Sequence, residues 1–310
     1  MVDLVQPASR RMLLGAAGLA AAGTLALGRK AEAQSVAWMQ PGNNNHVLAL
    51  QAGDAAAAGT VKLDYFGHCA FRLTTPQGLT IMFDPWRNDP SGAWGLWYPN
   101  EFPKTVVDIG MSTHSHFDHD ALDRLDATML LDRMVGTFSF ADVTITGIAD
   151  KHACEAPGWY NWTRAIREFG QEPCPPNNPG HMDNVTYLVE TGGLRILIWG
   201  DNRHNPPEDV FQAWGDVDIL TLPVDGSQHI LSYAQADAIV ERLQPKTVIP
   251  THYLNTATTI TLSTLESAEE WVTAQPDKEM LGAASLELKP SEITGMDRRF
   301  LYFGDHVVTA

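Results

Sequence analysis

Cysteine is scarce in this chain of 310 residues: Cys69, Cys154 and Cys174 are too few and too scattered for a cysteine metal cluster. Basic residues are also short, with 21 Lys and Arg against 37 Asp and Glu and a formal net charge of −16. Such a field repels polyanions, which argues against nucleic acid and anionic lipid surfaces as partners but leaves room for a small anion held by a metal. No apolar run makes a good membrane span, no internal repeat or heptad pattern occurs, and no glycine-rich loop able to cradle phosphate is visible. What remains is ordinary globular composition, 44% hydrophobic and 19% charged, enough to bury a sizeable core.

The first 33 residues stand apart. Arg10 and Arg11 precede a mildly apolar, Gly- and Ala-rich stretch, and "AEA" at Ala31–Ala33 offers a small-x-small cleavage site. This resembles a twin-arginine export signal, with an uncleaved N-terminal anchor as the alternative. The expected organisation is a signal over 1–33, an N-terminal arm over 34–60 and one catalytic domain over 61–310. The exported enzyme would reside in the periplasm, after passage through the twin-arginine machinery and with no stable membrane insertion once cleaved.

Histidine is concentrated. Only 11 occur in the chain, yet "STHSHFDHD" (112–120) holds His114, His116 and His119 together with Asp118 and Asp120. Imidazole and carboxylate are the ligands of borderline divalent metals. His114 and His116 stand two apart and share a face on extended chain, whereas Asp118 and His119 point elsewhere, a spacing that suits two ions better than one. Other apolar, β-branched runs also end in such groups: "VTITGIADK" at His152, "LRILIWG" at Asp201 and "KTVIPT" at His252. Earlier strands are read at 61–66, 70–75 and 79–84, and helices at 120–126, 207–214, 232–243 and 264–274. Strands that end on one edge of a sheet bring their following loops together, so ligands distant in sequence would converge there.

"HSHFDH" is the HxHxDH motif of the metallo-β-lactamase superfamily, which the chain resembles over about residues 60–275. Within it, "YFGHCAFRL", "FDPW", "GIADKH", "IWGDN", "LPV" and "IPTHY" are similar to the branch containing ascorbate-6-phosphate lactonase. The resemblance implies an α/β fold, a four-layer αββα sandwich with metals at one edge of the sheets. It implies a first metal on His114, His116 and His152, a second on Asp118, His119 and His252, and Asp201 bridging. His181 in "PGHMDNV" competes with His152 for the third-motif role; His152 is preferred because it directly ends a strand and the branch has its histidine there.

Two ions sharing one water lower its pKa towards neutrality and stabilise charge on the substrate oxygen, and Asp118 is the catalytic carboxylate placed to orient that water or move its proton. Zinc is the first choice because imidazole dominates, with manganese or iron as alternatives. The expected activity is hydrolysis of a small ester, lactone or amide. The runner-up is a phosphodiesterase of the same fold. An iron-dependent oxidoreductase ranks lower, because redox di-iron relatives place Glu where His116 stands. A metal-free binding module would have lost ligands, and all seven are present. His68, His181, Asp225 and His229 are expected in the pocket or behind the ligands. The aromatic stretches 86–98 and 158–162, the latter with Trp159 and Trp162, read as loops that pack mainly as core and could wall a pocket. Cys154 and Cys174 flank the second stretch and could be bridged in an oxidising compartment, whereas Cys69 is expected in the core.

Overall fold

The computed structural model describes residues 54–153, 183–293, 295 and 297–309. The segment 1–33 read as an export signal, most of the expected arm, Cys154, Trp159, Trp162, Cys174 and His181 therefore lie outside the described residues. The described strands are β1 (Val61–Tyr65), β2 (Phe71–Thr74), β3 (Thr80–Phe83), β4 (Thr105–Ser112), β5 (Leu125–Asp132), β6 (Gly136–Phe140), β7 (Val143–Asp150), β8 (Asn184–Thr191), β9 (Leu194–Ile198), β10 (Ile219–Pro223), β11 (Thr247–Thr251), β12 (Lys278–Met280), β13 (Ser285–Leu288) and β14 (Arg299–Tyr302). The α-helices are α1 (Glu208–Trp214), α2 (Tyr233–Leu243), α3 (Glu269–Ala274) and α4 (Pro290–Ile293).

Two mixed sheets form. One runs β13-β1-β2-β3-β4-β5 and the other β12-β14-β11-β10-β9-β8-β7-β6. Their inner faces share one core: Val61, Leu63, Phe83, Ile109 and Met111 from the first join Ile145, Tyr187, Val189 and Ile196 from the second. β10 and β11 are buried along their whole length, which is why "ILTLP" and "TVIPT" read as continuous rather than alternating patterns. Helices α1 and α3 pack against the eight-stranded sheet. Trp214 of α1 packs on Trp199 at 5.0 Å between ring centroids, and Trp271 of α3 meets Phe300 at 5.4 Å. α2 begins at a capping box, in which Ser232 Oγ accepts from Gln235 N at 3.1 Å and Gln235 Oε1 accepts from Ser232 N at 2.8 Å.

The two central sheets agree with the expected sandwich. The layer outside the six-stranded sheet is, among the described residues, an aromatic loop rather than a pair of helices. Trp86, Trp97, Tyr98 and Phe102 are buried there with Phe66, Met82 and Val107, and Trp86 stacks on Tyr98 at 4.2 Å. The helix expected at 120–126 is a correction: only a 3-10 turn, Leu122–Arg124, precedes β5. The segment "LDATMLLD" contains good helix formers, but parallel pairing with β4, from Thr105↔Leu125 to Ser112↔Asp132, overrides that local preference. The helix expected at 264–274 keeps only its last turns, Glu269–Ala274.

Candidate metal centre

Parallel pairing makes the convergence that the sequence suggested. β3, β4 and β5 run parallel in one sheet, and β9, β10 and β11 run parallel in the other, so their C-terminal ends share an edge. Backbone bonds then tie the edges of the two sheets together: Val185 N donates to Thr113 O at 2.8 Å and His252 N to His68 O at 3.2 Å. On the second sheet Ala153 N donates to Asp201 O at 2.8 Å, setting the strand ends of β7 and β9 side by side. Several turns are sharp. His68, Asp84 and His252 have φ of 56°, 46° and 60°, left-handed values that ordinary residues avoid. Gly200, at φ 61°, lets the chain approach β4 just before Asp201, because a Cβ there would lie 2.6 Å from Thr113 Oγ1.

The hydrogen bonds behind the histidines decide which ring nitrogen faces the centre. Asp84, fully buried, accepts from Thr113 N at 2.7 Å, from Thr113 Oγ1 at 2.8 Å and from His119 Nδ1 at 2.9 Å. Because Asp84 is an acceptor, His119 must carry its proton on Nδ1, leaving Nε2 to face inward. The Thr113 hydroxyl, already donating to Asp84, can only accept from His114 Nδ1, 3.0 Å away. His152 Nδ1 likewise donates to Ala153 O at 2.6 Å. Three rings thus turn Nε2 towards the centre, as metal-binding imidazoles held by outer partners do.

Two groups of potential ligand atoms result, each within 4.8 Å among themselves: His114, His116, His152 and Asp201, and His68, Asp118, His119 and His252. Asp201 faces both. Its Oδ2 lies 3.8 Å from His114 Nε2, 3.4 Å from His152 Nε2 and 3.1 Å from His252 Nε2, while Oδ1 lies 3.4 Å from His119 Nε2. Asp118 Oδ2 is 3.8 Å from His119 Nε2 and 3.9 Å from His252 Nε2. Ligands of one tetrahedral zinc ion stand roughly 3.4 Å apart, given bonds of about 2.0–2.2 Å, so these gaps fit shared cations. Buried His114 Nε2 and His119 Nε2 make no hydrogen bond, which also suits a group that completes them. His116 is the partly exposed ring of the seven candidates, so the centre opens to solvent on its side.

Charge is distributed to match. Burial holds His114 well below the ordinary imidazole value, and desolvation with the neighbouring His152 pushes His116 down to about 3, so both are neutral. Burial would also lower His119 and His252, but Asp201 and Asp118 outweigh it, raising His119 well above its usual value and His252 to about 10. Burial would raise Asp118 and Asp201, yet the adjoining histidines keep both ionised, well below the ordinary carboxylate range. Two buried, ionised carboxylates, Asp118 and Asp201, thus stand among the rings, a charge that divalent cations would balance.

The other expected residues fall around this centre. Asp225 and His229 are buried behind His252, with Asp225 Oδ2 3.9 Å from His252 Nδ1 and the two imidazole rings stacked at 5.5 Å. His68 is deeper than a pocket residue, 3.1 Å from Asp118 Oδ2. Sequence reading missed Asp84 and Thr113 as partners of the rings, although "FDPW" at a strand end was the available sign. It also placed Cys69 only in the core; Cys69 is buried there, and it is grouped with His119 and Asp201 within the same 4.8 Å.

Comparison with known proteins agrees with this architecture. The family model described as a β-lactamase superfamily domain matches residues 62–252, more than half of the chain. A UPF0173 metal-dependent hydrolase of Thermodesulfovibrio yellowstonii is 36% identical over 222 residues, spanning 64% of this chain and 80% of that one. Another from Thermus thermophilus is 28% identical over 251 residues, spanning 76% of this chain and 100% of its own. A solved structure of a metallo-β-lactamase superfamily protein from Thermotoga maritima shares the fold, with a TM-score of 0.54 at 21% identity over 78% of this chain and 98% of that one. With its strand-end histidines and aspartates assembled on that fold, the chain belongs to the metallo-β-lactamase superfamily and is a metal-dependent hydrolase of the UPF0173 family.

Proposed function

We propose that this hydrolase works with two divalent ions on a small ester, lactone or amide. His114, His116 and His152 hold one ion, Asp118, His119 and His252 the other, and Asp201 stands between them. The carrying observation is Asp201, whose two carboxylate oxygens reach imidazoles of both groups within 3.1–3.8 Å. Zinc suits the imidazole-rich set best, with manganese or iron as the alternatives. When bound, such ions supply Lewis acidity and an acidified water. Asp118, kept ionised by the adjoining histidines, is the carboxylate able to orient an attacking water or take up its proton, and Asp84 and Thr113 hold the rings of His119 and His114 in the receptive tautomer. Buried Trp86 and Tyr98 keep solvent away on the His68 side. The acidic chain argues for a small substrate, and the likeness of "GHCAFRL", "IWGDN" and "IPTHY" to the ascorbate-6-phosphate lactonase branch supports a lactone first.

The test is metal analysis beside a panel of lactones, β-lactams, esters and bis(p-nitrophenyl) phosphate on metal-replete protein. Close to two ions per chain and turnover of a carbonyl substrate are expected; preferred turnover of the phosphodiester would reassign the substrate class, and full activity without metal would end the reading. Export through the twin-arginine route rests on Arg10, Arg11 and the "AEA" site. Lysine at both positions should strand the precursor in the cytoplasm, and unchanged export would refute it.

A further inference from the structure

His68 stands in the tight turn between β1 and β2 with none of its side chain exposed. Neither ring nitrogen makes a hydrogen bond, though Nε2 approaches Asp118 Oδ2 to 3.1 Å. A close approach without hydrogen-bond alignment is what two ligands of one cation show, each aiming its lone pair at a common point rather than at the other. The ring lies 4.3 Å from that of His252 and 5.0 Å from that of His119, centroid to centroid. Asp118 Oδ2 thus has three Nε2 atoms within 3.1–3.9 Å, those of His68, His119 and His252. The backbone is strained to achieve this, since His68 sits at φ 56° and its carbonyl is pinned by His252 N at 3.2 Å.

Resting on the two-ion reading above, we propose that His68 is itself a ligand of the second ion, joining Asp118, His119 and His252. The two ions then differ in kind. The second is enclosed by three imidazoles and Asp118, with Asp201 shared between the ions, while the first keeps the open position on the solvent side marked by His116. Substrate oxygen therefore enters at the first ion, and the second is the one retained on dialysis.

The experiment compares wild type with His68→Asn, chosen because Asn tolerates the left-handed turn, and with His68→Gln, which keeps a hydrogen-bond donor towards Asp118. Each is loaded with Co2+, and the paramagnetically shifted, solvent-exchangeable imidazole N–H signals are followed by proton NMR, beside ion stoichiometry and far-UV dichroism. Both variants should lose one shifted signal and bind the second ion roughly 100-fold or more weakly, beyond the loss typical of an outer partner. Retention of every wild-type signal with two ions bound overturns the proposal and leaves the two-ion reading standing. A wild type that never takes up a second ion overturns both. Should both variants misfold, Cd-113-loaded wild type with 15N-labelled histidine decides the matter, because scalar coupling between His68 and cadmium is expected and its absence refutes direct ligation.

Discussion

One aspartate sets two imidazoles at once. Asp84 accepts a hydrogen bond from His119 directly and another from the Thr113 hydroxyl, which is thereby turned to accept from His114. Asp84→Asn would turn an amide N–H towards a group that also donates, so His119 should lose its fixed tautomer. Metal affinity is expected to fall about 10–100-fold, read as ions retained after dialysis against dilute chelator. Unchanged retention would show that Asp84 does not govern the ring. A second comparison separates the histidines that compete for the third motif. His152→Ala should lose an ion, its ring lying 4.6 Å from that of His116, whereas His181→Ala should keep both; the reverse result would exchange their roles. At this scale the sequence spoke clearly for ligands, because histidine has few structural reasons to cluster. It was mute for Asp84 and Thr113, whose roles depend on a contact between strand ends that no local pattern encodes.

At the level of strands, Asp64 fastens three of them. Its buried carboxylate accepts from Arg72 of β2 at 2.7 Å and Ser285 of β13 at 2.5 Å, and pairs with Lys62 at 2.8 Å. Burial would raise its pKa, but those partners hold it below the ordinary 3.8. A carboxyl lowered in the folded state stabilises fully above the unfolded value and loses that contribution as pH falls through the folded one. Asp64→Asn should therefore cost about 2 kcal/mol in urea unfolding at pH 7. The cost should shrink when wild type and variant are compared near pH 3, and an equal cost at both pH values would mean that charge is not what matters. Ser232→Ala, which removes the cap of α2, should cost about 1 kcal/mol at either pH. Strands ending in ligands were legible because β-branched runs mark them. β5 was not, because its leucines, alanine and methionine favour helix locally and become strand only through pairing with β4.

For the molecule as a whole, ions bound only by the folded chain must stabilise it. At a free metal concentration 100 times the dissociation constant the gain is about 2.7 kcal/mol. Stripping metal should then lower Tm by roughly 5–10 °C for a domain of this size, and re-addition of Zn2+ should restore it. A Tm indifferent to chelation would place the ions elsewhere or nowhere. The sandwich was legible through the family resemblance of the motifs, and the stretch 86–98 was legible as a loop that packs as core; that it stands where an outer helical layer was expected was not, since no local pattern encodes which layer a loop covers.

The left-handed turns at His68, Asp84 and His252 carry a historical consequence. Each non-glycine residue in that conformation forfeits about 1–2 kcal/mol that glycine would keep. On the two-ion reading, selection for metal binding and turnover holds those side chains in place against that gradient. A duplicate freed from selection for turnover should erode there first, acquiring glycine or asparagine at 68, 84 and 252 while the sheet interiors stay intact. Sequencing of decayed paralogues would read this out, and erosion that began instead in the core strands would contradict it.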